Sequence, residues 1–171
     1  MAGQIPATPA DGNMKVVVVP TLADPAAPSV TDLNAETSVD ISCYLTAGGY
    51  QPTQDQATIS DERLCSTQVF GAPGRKTLGL SLQVVDNTNS EYETEYNEAV
   101  TVLAEGQDVY VVERRGLPFD EPFAEGQTVR VWPIKAGMKQ NDPPEANSVL
   151  RATIPTFVTA DVVDVTTVAG A

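Results

Sequence analysis

Two pairs of adjacent acids, Asp61 with Glu62 and Asp120 with Glu121, are the residues of this sequence whose types could supply a general acid and a nucleophile. Glycoside hydrolysis asks for such a pairing, with the two carboxyl groups held on either side of the bond to be cut. Neighbours on an extended chain point to opposite sides, so neither pair presents both groups to one substrate. The chain has no His, which removes Ser-His and Cys-His activation of a nucleophile. It also carries no phosphate-cradling Gly loop and no nucleophile elbow. No catalytic residue is expected.

Metal and thiol chemistry is equally thin. Cys43 and Cys65 lack C-x-x-C spacing, and without His the usual zinc ligand sets cannot be completed. In a chain without an export signal, two Cys read as reduced, small, buried apolar residues rather than as a disulfide. The run DNTNSE, Asp86 to Glu91, places oxygen ligands at alternate positions. It lacks the Gly and the closing bidentate acid of a calcium loop, and a turn followed by a helix cap accounts for it better. Glu113 to Arg115, ERR, reads as a strand end meeting solvent or as an ion-pairing cluster at a subunit contact. Neither a metal nor a cofactor is expected.

The elements that must position these residues are mostly strands. Short β-rich runs separated by turn residues recur along the chain: MKVVVVP, TSVDISCYL, QATIS, KTLGLSLQVVD, DVYVVERRG, TVRVWPIKAG, VLRATIPTFV and DVVDVTTV. Their number and spacing predict a mainly β protein, an antiparallel sandwich or barrel. In KTLGLSLQVVD, Leu78, Leu80, Leu82 and Val84 fall on one face and Gly79, Ser81 and Gln83 on the other, the pattern of a half-buried strand. In TVRVWPIKAG, Val129 and Val131 alternate with Arg130, and Pro133 points to an edge or a bulge. The run Val16 to Val19 is different, because four consecutive valines are apolar on both faces. Such a strand needs cover on two sides.

One segment has helical period. In SEYETEYNEAVTVLAEG, Ser90 and Glu93 match a capping box, and Tyr92, Tyr96, Ala99, Val100 and Leu103 form one stripe. This predicts a helix over about 91–104 packed on the sheet, with Glu91, Glu95, Glu98 and Thr101 in solvent and Gly106 as a left-handed stop. Residues 47–76 and 136–148 read as long polar loops, and loops of that size in a compact domain usually have a task. The expected layout is a flexible lead over 1–13, a single domain over 14–168 and a tail over 169–171.

Charge narrows the partners. Acidic residues exceed basic ones by 23 to 10, a formal charge of -13, which disfavours binding to a nucleic-acid backbone. Such an excess also serves plain solubility. No apolar run is long enough to cross a bilayer, and MAGQIPATPADGN lacks the basic start and apolar centre of a secretory signal. A protein made and used in a cytoplasm, without membrane binding, is expected.

The order of these pieces resembles the tail tube proteins of phages. The N-terminal arm, the SVDISCYL strand before a Gly-Gly-Tyr loop, the LGLSLQVVD strand, the NEAVTVLAEGQDVYVVERRG unit and the late VRVWPIKAG to RATIPTFV hairpin are similar to the major tail proteins of long-tailed, non-contractile (siphovirus-type) phages of actinobacteria. The resemblance covers nearly the whole chain and lies in element order and texture. It implies a β-sandwich flanked by a helix, assembled into six-fold rings that stack into a tube through which DNA leaves the head. Arms, a long loop and C-terminal segments would bridge subunits and rings, and a neighbouring subunit would cover one face of Val16 to Val19. The immunoglobulin-like domain that some relatives append is not expected, which would make this the minimal tube version.

The resemblance implies contacts between subunits or rings at Met14, Val16, Val17, Val18, Val19, Tyr50, Phe70, Arg75, Arg114, Arg115 and Met138. An acidic lining that repels phosphates is expected from Asp40, Asp108, Glu113, Asp161 and Asp164, chosen because they lie in or beside strands. The partners implied are other copies of the chain, a tape measure protein, a tail terminator and distal tail proteins, with double-stranded DNA in transit. The location implied is the virion tail, assembled in the host bacterial cytoplasm. A tail terminator or head-tail connector ring is the alternative within the virion. An extracellular adhesive or sugar-binding sandwich is a further one, and it would call for an export signal and an aromatic platform.

Overall fold

The computed structural model describes residues 5–170. Nine strands are formed: β1 (Met14–Val19), β2 (Val39–Asp40), β3 (Leu45–Asp61), β4 (Phe70–Val85), β5 (Asp108–Arg115), β6 (Thr128–Ala136), β7 (Gln140–Asn141), β8 (Arg151–Val158) and β9 (Val163–Thr167). They join in one antiparallel sheet of order β2-β1-β5-β6-β8-β4-β3, with β7 on β8 and β9 on β6. The ends of that order meet face to face. Leu80, Leu82 and Val84 of β4 share one apolar cluster with Val16 and Val18 of β1 and Val111 of β5. The sheet therefore curls over its own core, as the sandwich reading requires.

The valine run has its cover within the chain. Val16 and Val18 enter the cluster with β4 and Trp132, while Val17 and Val19 enter a second cluster with Leu22, Leu33, Phe123 and Val168. All four valines are at most 2% exposed. The segments that close the second face are the short helix α1 (Val30–Leu33), capped by Ser29, and the chain's C-terminal stretch. Expected to run on as an arm, that stretch turns back. Val168 is buried, the Ala169 amide donates to the Pro28 carbonyl at 2.9 Å, and the Val30 amide donates to the Ala169 carbonyl at 3.0 Å. The expectation that a neighbouring subunit covers one face of β1 is thus corrected: sequence-distant segments of the same chain do so.

The segment read as a loop over 47–76 is a β-hairpin. β3 and β4 pair from Tyr50 with Leu82 out to Asp61 with Phe70, but β8 supports β4 only between Leu80 and Val85. From Thr53 outward the hairpin is a two-stranded ribbon about 30 Å long by strand rise. Its polar, Gly- and Pro-punctuated sequence reads as loop because a ribbon with no buried face shows no hydrophobic period. The nearer stretch, Leu45 to Tyr50, opposes only Val84 to Leu82 and bulges. Gly49 is required there, since a Cβ would sit 2.3 Å from the Gln83 carbonyl oxygen.

Helix α2 covers only Glu98–Val102. Ala99 and Leu103 are buried as the stripe predicts, but Tyr92 and Tyr96 are each 53% exposed, so the stripe ends at the helix start. Short polar side chains claim the upstream backbone instead. The buried Asn97 Oδ1 accepts from the Asn87 amide, Asp86 Oδ1 accepts from the Thr88 amide and hydroxyl, and Glu93 reaches the Asn89 amide. Gly106 has φ +84, the left-handed conformation expected of it.

Pro133 lies in an interior strand rather than at an edge. β6 is paired along one side by β5, and along the other by β9 up to Val131 and by β8 from Ile134. Pro133 sits at the change of partner, where its missing N–H leaves no gap in a ladder. Cys43 and Cys65 are exposed and unpaired, so the expectation of buried thiols is corrected. Each lies in a connection outside the core, Cys43 between β2 and β3 and Cys65 in the hairpin turn. Among the described residues no helix is long and apolar enough to cross a membrane.

Candidate assembly surface

The ribbon is the part of the fold least explained by the chain's own core. Residues 51–73 are exposed throughout, and with them Ile59 (58%), Leu64, Val69 and Phe70 (60%). A free two-stranded ribbon is marginal in water, and the outer edge of β3 offers unpaired backbone donors and acceptors along its length. Both properties call for a partner surface.

The base of the ribbon is anchored by a polar contact. The Tyr50 hydroxyl donates to Glu113 Oε2 at 2.6 Å, and Arg115 Nε donates to Glu113 Oε1. Glu113 is 4% exposed, so its charge is held by these two donors rather than by water. Burial, then the hydrogen bond to Glu113 and its charge, push the Tyr50 phenol far above its ordinary value. On the opposite face of β5, Arg114 is 1% exposed. It donates to the carbonyls of Pro118 and Pro122 and to Gln127 Oε1, and its guanidinium lies 5.2 Å from the centre of the Phe123 ring. Burial lowers its pKa, and the nearby carboxylates of Glu121 and Asp40 oppose that shift.

The expected contact residues divide by exposure. Phe70, Arg75, Arg115 and Met138 are at the surface, Met138 at 69%. Met14 and Tyr50 are half-buried against the first cluster. Val16, Val17, Val18, Val19 and Arg114 are interior, which corrects their assignment as contacts: the side chains are spent on the chain's own core. The sequence reading missed Ile59, Leu64 and Val69. In polar surroundings a single aliphatic gives no periodic signal.

The five expected lining acids are not one cluster, and four of them are neutralised locally. Asp40 pairs with Lys15 at 3.0 Å, Asp108 with Lys135 at 3.1 Å, Asp164 with Arg130, and Glu113 with Arg115. Glu113 is in addition interior, which corrects its place on a lining surface. Glu113 and Asp164 border one groove with Arg115 and Arg130, and Asp161 and Asp164 border a neighbouring cleft with Lys76 and Trp132. Asp161 alone of the five has no ion-pair partner among the described residues. Among the described residues no group of His, Cys, Asp and Glu is placed to hold a metal.

Comparison with known proteins agrees with this architecture. A chain in the cryo-EM structure of the anti-feeding prophage baseplate, solved with six-fold symmetrisation, superposes with a TM-score of 0.51 at 14% identity, covering 98% of each chain. At that identity the likeness is one of fold. No curated protein sequence matches. The family described as phage tail tube protein matches residues 1–171. A curled antiparallel sheet with a projecting ribbon, matched by that family from end to end, belongs to the phage tail tube proteins, structural components of the phage tail.

Proposed function

We propose that this chain polymerises as stacked hexameric rings to form the tube of a phage tail, an acidic conduit for DNA ejected into the host. The surface area carries the reading. The chain exposes 11057 Å², whereas a compact monomer of 18.1 kDa exposes about 8,000 Å². The excess of about 3,000 Å² is the size that obligate interfaces bury. The exposed residues 51–73 contribute to it, and a strand edge that pairs with a neighbour ceases to be a liability.

Six-fold symmetry is adopted from the prophage baseplate that shares the fold. A siphovirus-type phage of an actinobacterial host, with tape measure, terminator and distal tail proteins as neighbours, is part of the same proposal. The net charge of -13 supports free passage of DNA, because a lining poor in unpaired cations offers phosphates nothing to exchange for their counterions.

Negative-stain electron microscopy of the purified protein at high concentration tests the proposal. Long hollow tubes with six-fold end views are expected. Isolated rings that never stack would assign the chain to a terminator or connector, and dispersed monomers would overturn the assembly reading.

A further inference from the structure

The ribbon leaves the body of the fold over a cleft of about 460 Å³. Its lining comes from two parts of the chain: Thr53, Lys76 and Leu78 of the ribbon root, and Arg130 and Trp132 of β6 with Asp161 and Asp164 beside and within β9. Strand alternation puts Lys76 and Leu78 on the face that carries the buried Leu80 and Leu82, and Arg130 on the face that carries the buried Trp132. Both strands therefore turn from apolar to charged on their inner faces as they leave the core.

The charges in this cleft are unevenly committed. Arg130 pairs with Asp164, and its guanidinium lies 5.8 Å from the centre of the Trp132 ring. Lys76 and Asp161 form no ion pair among the described residues. A cation on the ribbon and an acid on the body thus border one cleft with neither neutralised. The ribbon also has a place to bend. β8 supports β4 only as far as Leu80, and the Tyr50 hydroxyl ties β3 to Glu113. The pair just beyond both supports is Thr53 with Gly79. A Cβ on residue 79 would lie 2.7 Å from Thr53 Oγ1, and Gly inside a strand weakens it and marks a bend or a close approach.

We propose that the ribbon swings about the Thr53 and Gly79 pair and closes the cleft, bringing the Lys76 ammonium onto the Asp161 carboxylate and shutting water away from Trp132. In the closed subunit the inner face of the ribbon root is covered by its own chain, which competes with any neighbour for that face. The closure is a property of the single chain, and only its role, holding that face back until assembly, rests on the assembly reading.

Trp132 is the chain's only tryptophan and reports on the cleft. Acrylamide quenching of its fluorescence is measured on the dilute full-length protein, with circular dichroism showing each variant folded. Lys76→Glu and Asp161→Lys should each raise the quenching constant about two- to fivefold, the population change that one partly exposed ion pair can hold. Molar salt should raise it in the wild type, and the double variant carrying both changes should return to the wild-type value. Absence of that rescue, or a wild-type constant indifferent to salt, overturns the pairing. The swing is tested separately by Lys76→Cys with Asp161→Cys in a C43S/C65S background. An intrachain disulfide, which needs the two Cα atoms within about 7 Å, should form on mild oxidation of the dilute protein, and a folded chain that forms none overturns the closure. The oxidised protein should make no tubes until it is reduced. Tubes forming equally well from the oxidised protein would overturn the role in assembly, whereas a wild type that never assembles overturns the assembly reading and leaves the quenching and disulfide results to decide the closure.

Discussion

Tyr50 and Glu113 lie 63 positions apart in the sequence and 2.6 Å apart in the fold, the phenol donating to the carboxylate. The bond ties the root of the β3-β4 hairpin to β5 across the core and satisfies a carboxylate that is 4% exposed. Removing the donor leaves a buried charge short of one partner. Tyr50→Phe should therefore lower stability by about 1–3 kcal/mol, seen as a drop in the urea midpoint with an unchanged slope. A neutral result would show that Arg115 alone holds Glu113.

Leu103 and Tyr96 separate the buried and exposed parts of what the sequence presents as one stripe. Leu103 is 1% exposed and Tyr96 53%. Leu103→Ala should cost about 2–5 kcal/mol, and Tyr96→Ala no more than about 0.5 kcal/mol. Equal losses in denaturant melts would contradict this packing.

Asp86 gives the fold a dependence on acid. Burial raises its pKa, but the bond from Lys139 at 2.5 Å and those from Thr88 outweigh burial and hold the carboxyl below its usual range. A carboxylate depressed in the folded state contributes stability above its unfolded pKa and loses that contribution as pH falls through the folded value. Urea midpoints of wild type and Lys139→Met should differ at neutral pH and converge in acid. A constant gap would mean that Lys139 acts through packing alone.

The hairpin should be dispensable for folding. Asp55 and Thr77 are opposite one another in the ladder, so residues 56–76 can be replaced by an Asn-Gly turn. The shortened chain should keep its β circular dichroism and cooperative melt yet form no tubes under the electron microscope. Tubes of normal length would remove the hairpin from assembly.

Asp161 is the expected lining acid that forms no ion pair among the described residues, so reversing it changes the field most directly. Tubes of Asp161→Lys should retain short DNA duplexes at low salt and release them at high salt, whereas Asp108→Lys, which leaves Lys135 without its partner, tests a second position. Wild-type behaviour of both in a salt-dependent retention assay would place these residues off the conduit.

Much of the fold is written in local sequence. The alternation of Leu78, Leu80, Leu82 and Val84 against polar neighbours names a strand and its buried face, because side-chain direction repeats every two residues; burial follows it. The four valines Val16 to Val19 likewise announce a strand covered on both sides. What covers them is a matter of long-range geometry. Leu33, Phe123 and Val168 come together only in the folded chain, and no local pattern distinguishes a cover supplied by the same chain from one supplied by a neighbour. The polar hairpin shows the converse. Its strands are held by backbone pairing without a buried face, so the sequence carries composition and turn residues but no period. Tertiary structure alone decided that Glu113 and Arg114, adjacent charges read as a strand end meeting solvent or a subunit contact, are both interior: strand alternation sends them to opposite faces, and both faces of β5 are covered.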